Sequence, residues 1–289
     1  MGDELFTIVM PQYREQPFPW AYWPHPPRSL SVYRWPVPRT ILILIAVAAI
    51  IYIALCLALF LAQRSFIYFP QPKSTSASDM LTLKVDRERI VVATRPGSGP
   101  DAVIYFGGNA EDVSRSLPTL ADAFPRHSLY AMNYRGYGGS TGKPSETALI
   151  ADALVLFDRV RIDHPRVTVI GRSLGSGVAV HIASERPVER LILVTPYDSL
   201  LRIAATQFRF FPLSWLMLDK FESWRYAPKV TAPTLLIAAQ NDEVIPFTST
   251  EALYGHLPQP LATLTIIPDV SHNTISESPE YIPLLRATP

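Results

Sequence analysis

Short apolar runs alternate with longer amphipathic stretches over the last two thirds of the chain. Seven runs of apolar or β-branched residues predict strands, at residues 89–94, 103–106, 129–133, 167–170, 191–194, 235–239 and 264–267. Three of the stretches between them predict helices, at residues 117–124, 146–162 and 176–185. Because strands and helices alternate with mostly short connections, we expect an α/β fold with a mostly parallel sheet and helices on both faces. Ligands bind such sheets at the carboxyl ends of the strands.

Residues 200–229, which we call the 200–229 insert, interrupt this alternation between two strands. The insert is rich in large apolar side chains, including Phe208, Phe211, Trp215 and Trp224. Ordinary core packing explains such a composition as well as a small lid does. As a lid, the insert would form one wall of an apolar pocket above the carboxyl edge of the sheet.

A long apolar segment precedes the α/β region. Residues 40–62 contain no charged side chain, and as a helix they would extend about 35 Å, enough to cross a bilayer core. A buried core helix is the alternative, but such helices are usually shorter. Arg28, Arg34 and Arg39 precede the segment, whereas Arg64 and Lys73 follow it. The positive-inside rule therefore predicts a single-pass protein with a cytoplasmic amino terminus and the large domain on the opposite side.

Two further segments flank the predicted span. Residues 1–39 are rich in proline and aromatic residues, which predicts an extended or irregular arm. This arm would either contact the membrane interface or form a disordered tail. Residues 63–79 are predicted as a linker, in which Phe66, Tyr68 and Phe69 would mark the second membrane interface.

Composition excludes several classes of function. The net charge of +1 gives no argument for nucleic-acid binding. The single cysteine, Cys56, lies inside the apolar segment, so no intramolecular disulfide can form. No spacing typical of a zinc site and no phosphate-binding loop is present, so we predict no metal and no cofactor. The oligomeric state stays open.

The strongest candidate for chemistry is a Gly-x-Ser-x-Gly turn formed by Gly171, Ser173 and Gly175. It follows the predicted strand 167–170 and precedes a predicted helix, which is the arrangement of a nucleophile elbow. We expect that side chains at the two glycine positions would collide with the neighbouring strand and helix. Ser173 would then present its hydroxyl at the carboxyl edge of the sheet, as a nucleophile.

A serine nucleophile needs a base and an acid, and two later strand ends supply them. Asp242 follows the strand 235–239, and His272 follows the strand 264–267. Nucleophile, acid and histidine in this order are typical of the α/β-hydrolase arrangement. Asp198 also follows a strand and is a second candidate acid. Glu243 and Asp269 are expected to be solvated.

The other histidines occupy less suitable positions, because none of them follows a late strand. They are His25, His127, His164, His181 and His256. For the oxyanion, two backbone N–H donors are needed. We assign one to Leu174, directly after the nucleophile, and the other to Asn109, in the glycine-containing loop after strand 103–106.

These motifs together resemble the α/β-hydrolase superfamily. They are residues 107–110, 134–140 and 171–175, Asp242 with Val244 and Pro246, and Ser271 with His272. The chain is most similar to the membrane-anchored, single-span branch with serine-aminopeptidase-like and acyl-protein-thioesterase-like hydrolases. The resemblance implies that residues 80–289 form one α/β-hydrolase domain. It also implies a histidine before Gly108, where this chain has Gly107, so a hydrogen bond that would fix the oxyanion loop is missing.

The sequence therefore predicts a membrane-anchored serine hydrolase that cleaves an ester or thioester bond through Ser173, His272 and Asp242. Its substrate would be a small molecule or an acylated protein, and membrane lipid would be a further partner. Two alternatives stay open: an aminopeptidase-like amide hydrolase, and a catalytically silent membrane-anchored scaffold. A dehalogenase is disfavoured, because it needs an aspartate where Ser173 stands.

Overall fold

The computed structural model describes residues 38–72 and 79–287. Most of the arm predicted over residues 1–39, and part of the linker predicted over residues 63–79, lie outside these residues. Contacts divide the chain into two units, after Ala49. The described part of the first unit contributes the beginning of a helix, and the second unit, from Ile50 onward, contains the α/β domain.

The first helix, α1, spans Arg39–Ile67 and is long and apolar enough to span a membrane. Its 29 residues have a mean hydropathy of 3.1 over the most apolar window, and none of them is buried. The helix continues beyond residue 62, so residues 63–67 belong to it and not to a linker. It continues because polar groups near its end find partners: Gln63 bonds to the backbone of Leu216 and Leu218, and Arg64 pairs with Asp219.

The described residues of the second unit form an eight-stranded, mostly parallel sheet, as the sequence predicts. The strands are β1 (Asp79–Val85), β2 (Glu88–Arg95), β3 (Ala102–Phe106), β4 (Ser128–Met132), β5 (Val167–Arg172), β6 (Arg190–Val194), β7 (Thr234–Asn241) and β8 (Ala262–Ser271). Their order in the sheet is β1-β2-β4-β3-β5-β6-β7-β8. Strands β3 to β8 are parallel, whereas β2 pairs antiparallel with both β1 and β4. Strand β1, at the edge, is the one strand that the hydrophobic pattern does not predict.

Helices cover both faces of this sheet, in agreement with the predicted fold class. They are α2 (Leu117–Ala123), α3 (Glu146–Asp163), α4 (Leu174–Glu185), α7 (Phe247–His256) and α8 (Tyr281–Arg286). Buried side chains of α3, α4 and α7 belong to one apolar cluster, and those of α2 and α8 belong to a second cluster. The sheet therefore lies between two cores, and its carboxyl edge carries the loops between strands and helices.

The 200–229 insert lies between β6 and β7. It contains helices α5 (Leu200–Gln207) and α6 (Leu213–Leu216), followed by two 3₁₀ turns, Ser223–Arg225 and Ala227–Lys229. Neither α5 nor α6 contains a fully buried residue, whereas Phe221 and Ala227 near its end join the core. Both interpretations of the insert, core packing and a lid, therefore apply to different parts of it. Its carboxyl-terminal end packs in the core, and its two helices cover the carboxyl edge of the sheet.

Candidate functional site

The sharp turn between β5 and α4 lifts Ser173 out of the sheet. Ser173 has φ 48° and ψ −118°, a backbone conformation that a residue with a side chain rarely adopts. A Cβ at Gly171 would lie 2.5 Å from the carbonyl oxygen of Gly175, and a Cβ at Gly175 would lie 2.1 Å from that of Phe106. The expected collisions with helix and strand are thus confirmed. Close packing of glycine backbone holds the strained serine in place.

Three side chains from distant parts of the chain meet at this turn. His272 Nε2 lies 2.9 Å from Ser173 Oγ, and His272 Nδ1 lies 2.9 and 3.0 Å from the two carboxylate oxygens of Asp242. The side chains of His272 and Asp242 expose only 7% and 6% of their surface. A serine hydroxyl, an imidazole and a carboxylate in this order have the geometry of a general-base-activated nucleophile.

The second candidate acid, Asp198, lies elsewhere. Its carboxylate accepts hydrogen bonds from Arg202 and from Ser249 Oγ, and it makes none to His272. The loop that carries Asp242 is fixed instead by its own backbone, because Asp242 Oδ1 accepts from the N–H groups of Val244 and Ile245. Asp242 is therefore held in place as it faces the imidazole.

Glu243 is exposed, as expected, but it also has a structural contact that the sequence does not indicate. Its carboxylate accepts a hydrogen bond from the backbone N–H of His272 at 3.1 Å. Asp242 and Glu243 thus hold the side chain and the backbone of the same histidine.

The two predicted oxyanion donors both line the space in front of Ser173. Leu174 is the first residue of α4, so its N–H has no acceptor within the helix. The N–H of Asn109 makes no hydrogen bond to another residue in the described part of the chain. Both groups are therefore available to a negatively charged oxygen.

The loop that carries Asn109 is held mainly by Glu111, which lies outside the sequence motifs, and also by Tyr134, which lies within one of them. Glu111 accepts hydrogen bonds from Gly108 N–H, Tyr105 O–H and Ser116 O–H at 2.6–2.7 Å. Tyr134 O–H donates to the carbonyl of Gly107 at 2.7 Å. These contacts replace the support that a histidine at position 107 would provide.

The Asn109 side chain itself joins three segments. Its amide oxygen accepts from Tyr137 O–H at 2.9 Å and from the backbone N–H of Phe69 at 3.0 Å. Burial raises the pKa of Tyr137 to about 12, and it raises the pKa of Tyr134 well above its usual range. Both hydroxyls therefore stay protonated at physiological pH and act as donors. The segment after α1 is in this way tied to the candidate oxyanion loop.

Arg172 occupies the first unspecified position of the Gly-x-Ser-x-Gly turn, and it connects the loops on either side of Ser173. It pairs with Glu111 at 3.8 Å and donates to the carbonyls of His272 and Asn273 at 3.3 Å. A sequence motif leaves this position unspecified, so its role emerges only from the fold. Arg172 positions the histidine loop against the glycine loop without touching Ser173 Oγ.

Ser173 lines two cavities. The polar cavity, of about 350 Å³, is lined by Asn109, Glu111, Arg172, His272 and Asn273 among others. The apolar cavity, also of about 350 Å³, lies under the 200–229 insert and is lined mostly by large apolar side chains. They include Phe66, Ile67, Phe69, Phe208 and Met217.

The described residues contain no group of three or more His, Cys, Asp or Glu side chains that could hold a metal ion. The arrangement of Ser173, His272 and Asp242 can support acyl transfer through the serine hydroxyl, which lines both a polar and an apolar cavity.

Comparison with known protein families agrees with the fold. A family model described as alpha/beta hydrolase fold matches residues 101–219, a range that includes both the Asn109 loop and the Ser173 turn.

Among curated proteins, an uncharacterised protein of Mycobacterium tuberculosis is 34% identical to the chain over 249 residues. The match covers 79% of this chain and 87% of that relative. The chicken protein named lysophosphatidylserine lipase ABHD12 is 31% identical over 184 residues, covering 55% of this chain and 48% of that relative. The chain therefore spans about half the length of the lipase-named relative.

Solved structures with the same fold include an α/β-hydrolase enzyme from a deep-sea metagenome, with a TM-score of 0.59 at 16% identity. The match covers 71% of this chain and 95% of that enzyme. The Pyrococcus furiosus esterase Pf2001 has a TM-score of 0.58 at 20% identity, with 73% of this chain and 94% of the esterase covered. At such identities the similarity concerns the fold.

Proposed function

The chain belongs to the α/β-hydrolase superfamily, and we propose that it is a membrane-anchored serine hydrolase of carboxylic esters. The observation that carries this proposal is the alignment of Ser173, His272 and Asp242, with 2.9 Å between Ser173 Oγ and His272 Nε2. Leu174 and Asn109 support it, because they line the same cavity as Ser173 and their N–H groups have no acceptor among the described residues.

In the proposed mechanism, Ser173 Oγ attacks the carbonyl carbon while its proton passes to His272 Nε2. Asp242 holds Nδ1–H and stabilises the imidazolium that forms. The N–H groups of Leu174 and Asn109 bind the oxyanion of the tetrahedral intermediate. His272 then protonates the departing oxygen, and the acyl group stays on Ser173. A water molecule, deprotonated by His272, releases the acid and restores the serine.

The two cavities suggest how a substrate would be arranged. The apolar cavity suits an acyl chain, and the polar cavity suits a hydrophilic alcohol as the leaving group. The name of the lipase-like relative is consistent with an ester that has these two parts. A thioester fits the same arrangement, since only the leaving atom differs.

An aminopeptidase-like function is less well supported. Such an enzyme must bind the ammonium group of its substrate, and a carboxylate in the polar cavity would be needed for this. Glu111 is the carboxylate there, and its oxygens already accept from Gly108, Tyr105 and Ser116 and face Arg172. An acyl group in the apolar cavity, by contrast, needs no carboxylate to bind it.

Two measurements on the full-length protein in detergent test the function. A fluorophosphonate probe is expected to label Ser173, since it reacts with an activated serine; absence of labelling would favour the silent scaffold. We further expect kcat/KM for acyl esters to exceed that for aminoacyl amides by at least about a hundredfold. An amide has a poorer leaving group, and Glu111, which would have to bind the substrate's ammonium group, is already engaged by other partners. A preference for the amides would reverse the proposed order.

We also propose that α1 anchors the protein in the membrane with a cytoplasmic amino terminus and the hydrolase domain on the opposite side. The arginines at positions 28, 34 and 39, against Arg64 and Lys73, support this orientation. A reporter enzyme that is active only outside the cytoplasm, fused to the carboxyl terminus, is expected to be active. Activity only of a cytoplasmic reporter at that terminus would show the reverse orientation.

A further inference from the structure

A second, smaller apolar cavity of about 80 Å³, which we call the outer apolar cavity, adjoins the apolar cavity beside Ser173. The two share five lining residues: Phe66, Ile67, Ala204, Phe208 and Met217. Side chains that line the outer apolar cavity alone include Leu59, Leu213 and Leu216. One polar side chain, Gln63, lines it as well. The two cavities are therefore neighbours, and the apolar side chains that line them mark a path that leads away from the nucleophile, which lines only the first.

One wall of this path is the last part of α1. Leu59, Gln63, Phe66 and Ile67 all line it, and they lie on one side of the helix at spacings of three or four residues. From Ile67 to Leu59 the helix rises by about 12 Å. The path thus follows the same helix that we propose as the membrane anchor, toward its apolar segment.

The opposite wall is the 200–229 insert, and several bonds fix it to this helix. Arg64 Nε donates to Asp219 at 2.9 Å, and Gln63 bonds to the backbone at Leu216 and Leu218. Farther along α1, Tyr52 O–H donates to the carbonyl of Phe210 at 2.8 Å and its ring stacks on Phe211. The insert therefore lies along α1 as far as Tyr52, well inside the apolar segment.

The outward side of the insert is itself apolar. Trp215 is 87% exposed, and Phe210 is 74% exposed. Exposed apolar groups of this size next to a membrane-spanning helix are stabilised by lipid rather than by water. The insert therefore presents apolar side chains to the same surroundings as the exposed apolar side chains of α1.

We infer that the outer apolar cavity binds the far end of the substrate's acyl chain, so that the membrane helix itself forms part of the acyl-binding site. This inference rests on the proposed ester hydrolysis and adds the substrate class: a membrane-resident ester of a long-chain fatty acid with a polar alcohol. The carbonyl end of the acyl chain lies in the apolar cavity at Ser173. The remaining methylene groups of the acyl chain extend between α1 and the insert toward Leu59.

Two neighbouring alanines of α5 provide a matched test. Ala204 lines both cavities, whereas Ala205 is exposed and lines neither. In the full-length protein in detergent micelles, Ala204→Trp is expected to lower kcat/KM for a C16 p-nitrophenyl ester at least about tenfold relative to a C4 ester. Such a change corresponds to roughly two methylene groups that are no longer buried. Ala205→Trp is expected to leave this ratio within about twofold of the wild type.

A second variant keeps the test decisive if Ala204→Trp does not fold. Leu213 lines only the outer apolar cavity, so Leu213→Trp is expected to reduce C16 hydrolysis while C4 hydrolysis and fluorophosphonate labelling stay at the wild-type level. Equal loss for C4 and C16 esters in labelled, folded variants would overturn the acyl-site inference. Failure of the wild-type protein to hydrolyse even the C4 ester would instead contradict the proposed function.

Discussion

Ser173→Ala is expected to lower kcat/KM for ester hydrolysis by about 10⁴-fold or more, because the variant has no nucleophile for acyl transfer. The hydroxyl lies 2.9 Å from His272 Nε2. Among the residues that line either cavity, the one other hydroxyl belongs to Tyr197, which lines the apolar cavity and donates to the carbonyl of Leu174. The residual rate would come from the oxyanion donors, which the substitution leaves in place. Initial rates with a C4 ester measure the effect.

Ser176→Ala is the matched control for this substitution. Ser176 lies on α4, three residues after Ser173; it is fully buried, and its hydroxyl has no hydrogen-bond partner within the described residues. Loss of that hydroxyl is expected to change neither activity nor labelling. A Ser173→Ala variant that keeps more than a tenth of the wild-type activity would show that another group performs the chemistry.

A double variant separates a catalytic role of His272 from a structural one. If His272 acts by taking the proton of Ser173, Ser173→Ala and His272→Ala each remove the same step, so the double variant is expected to be about as active as either single variant. Independent, multiplicative losses would mean that His272 contributes in some other way.

The parts of the site that could be predicted from sequence are those that depend on local patterns. The Ser173 turn follows from glycines between a strand and a helix, and Asp242 and His272 follow from their positions after late strands of a parallel sheet. Parallel strands bring such loops to one edge regardless of the details of packing. For this reason the order of elements was sufficient to bring these three residues together.

The supports of the site could not be predicted in this way. Glu111 holds the Asn109 loop through Tyr105 and Ser116, and Arg172 joins it to the carbonyl of His272. These contacts link polar residues whose partners are chosen by three-dimensional proximity, and polar residues in loops have no periodicity that marks them. Tyr68, expected at a membrane interface, is instead buried in the apolar core at 4% exposure.

In the fold, too, some elements can be predicted from local sequence patterns and others depend on tertiary contacts. The strongly apolar central strands are evident in the sequence, whereas β1 is a mostly exposed edge strand with two buried residues, Leu83 and Val85. Hydropathy alone predicts too early an end for α1, since Gln63 and Arg64 are polar and continue the helix only because the 200–229 insert supplies their partners. Tertiary contacts of this kind override local composition.

Gly175→Ala is expected to destabilise the protein by about 3 kcal/mol or more, and thereby to lower its melting temperature by roughly 6–12 °C. The added Cβ would lie 2.1 Å from the carbonyl oxygen of Phe106 and 2.6 Å from that of Gly107. Both neighbours are backbone atoms, so the β3 end and the start of α4 must move apart. That movement shifts the Asn109 loop away from Ser173, and activity is expected to fall together with stability.

Gly255→Ala gives the opposite sign and serves as the control. Gly255 lies in α7, is exposed, and nothing lies within 4 Å of an added Cβ. Since alanine loses less conformational entropy in a helix than glycine, this variant is expected to gain about 0.5–1 kcal/mol and to keep full activity. Thermal unfolding of both variants in one detergent measures the contrast. Equal melting temperatures for Gly175→Ala and the wild type would mean that β3 and α4 do not meet at Gly175, and the tight turn that presents Ser173 would then lack its physical basis.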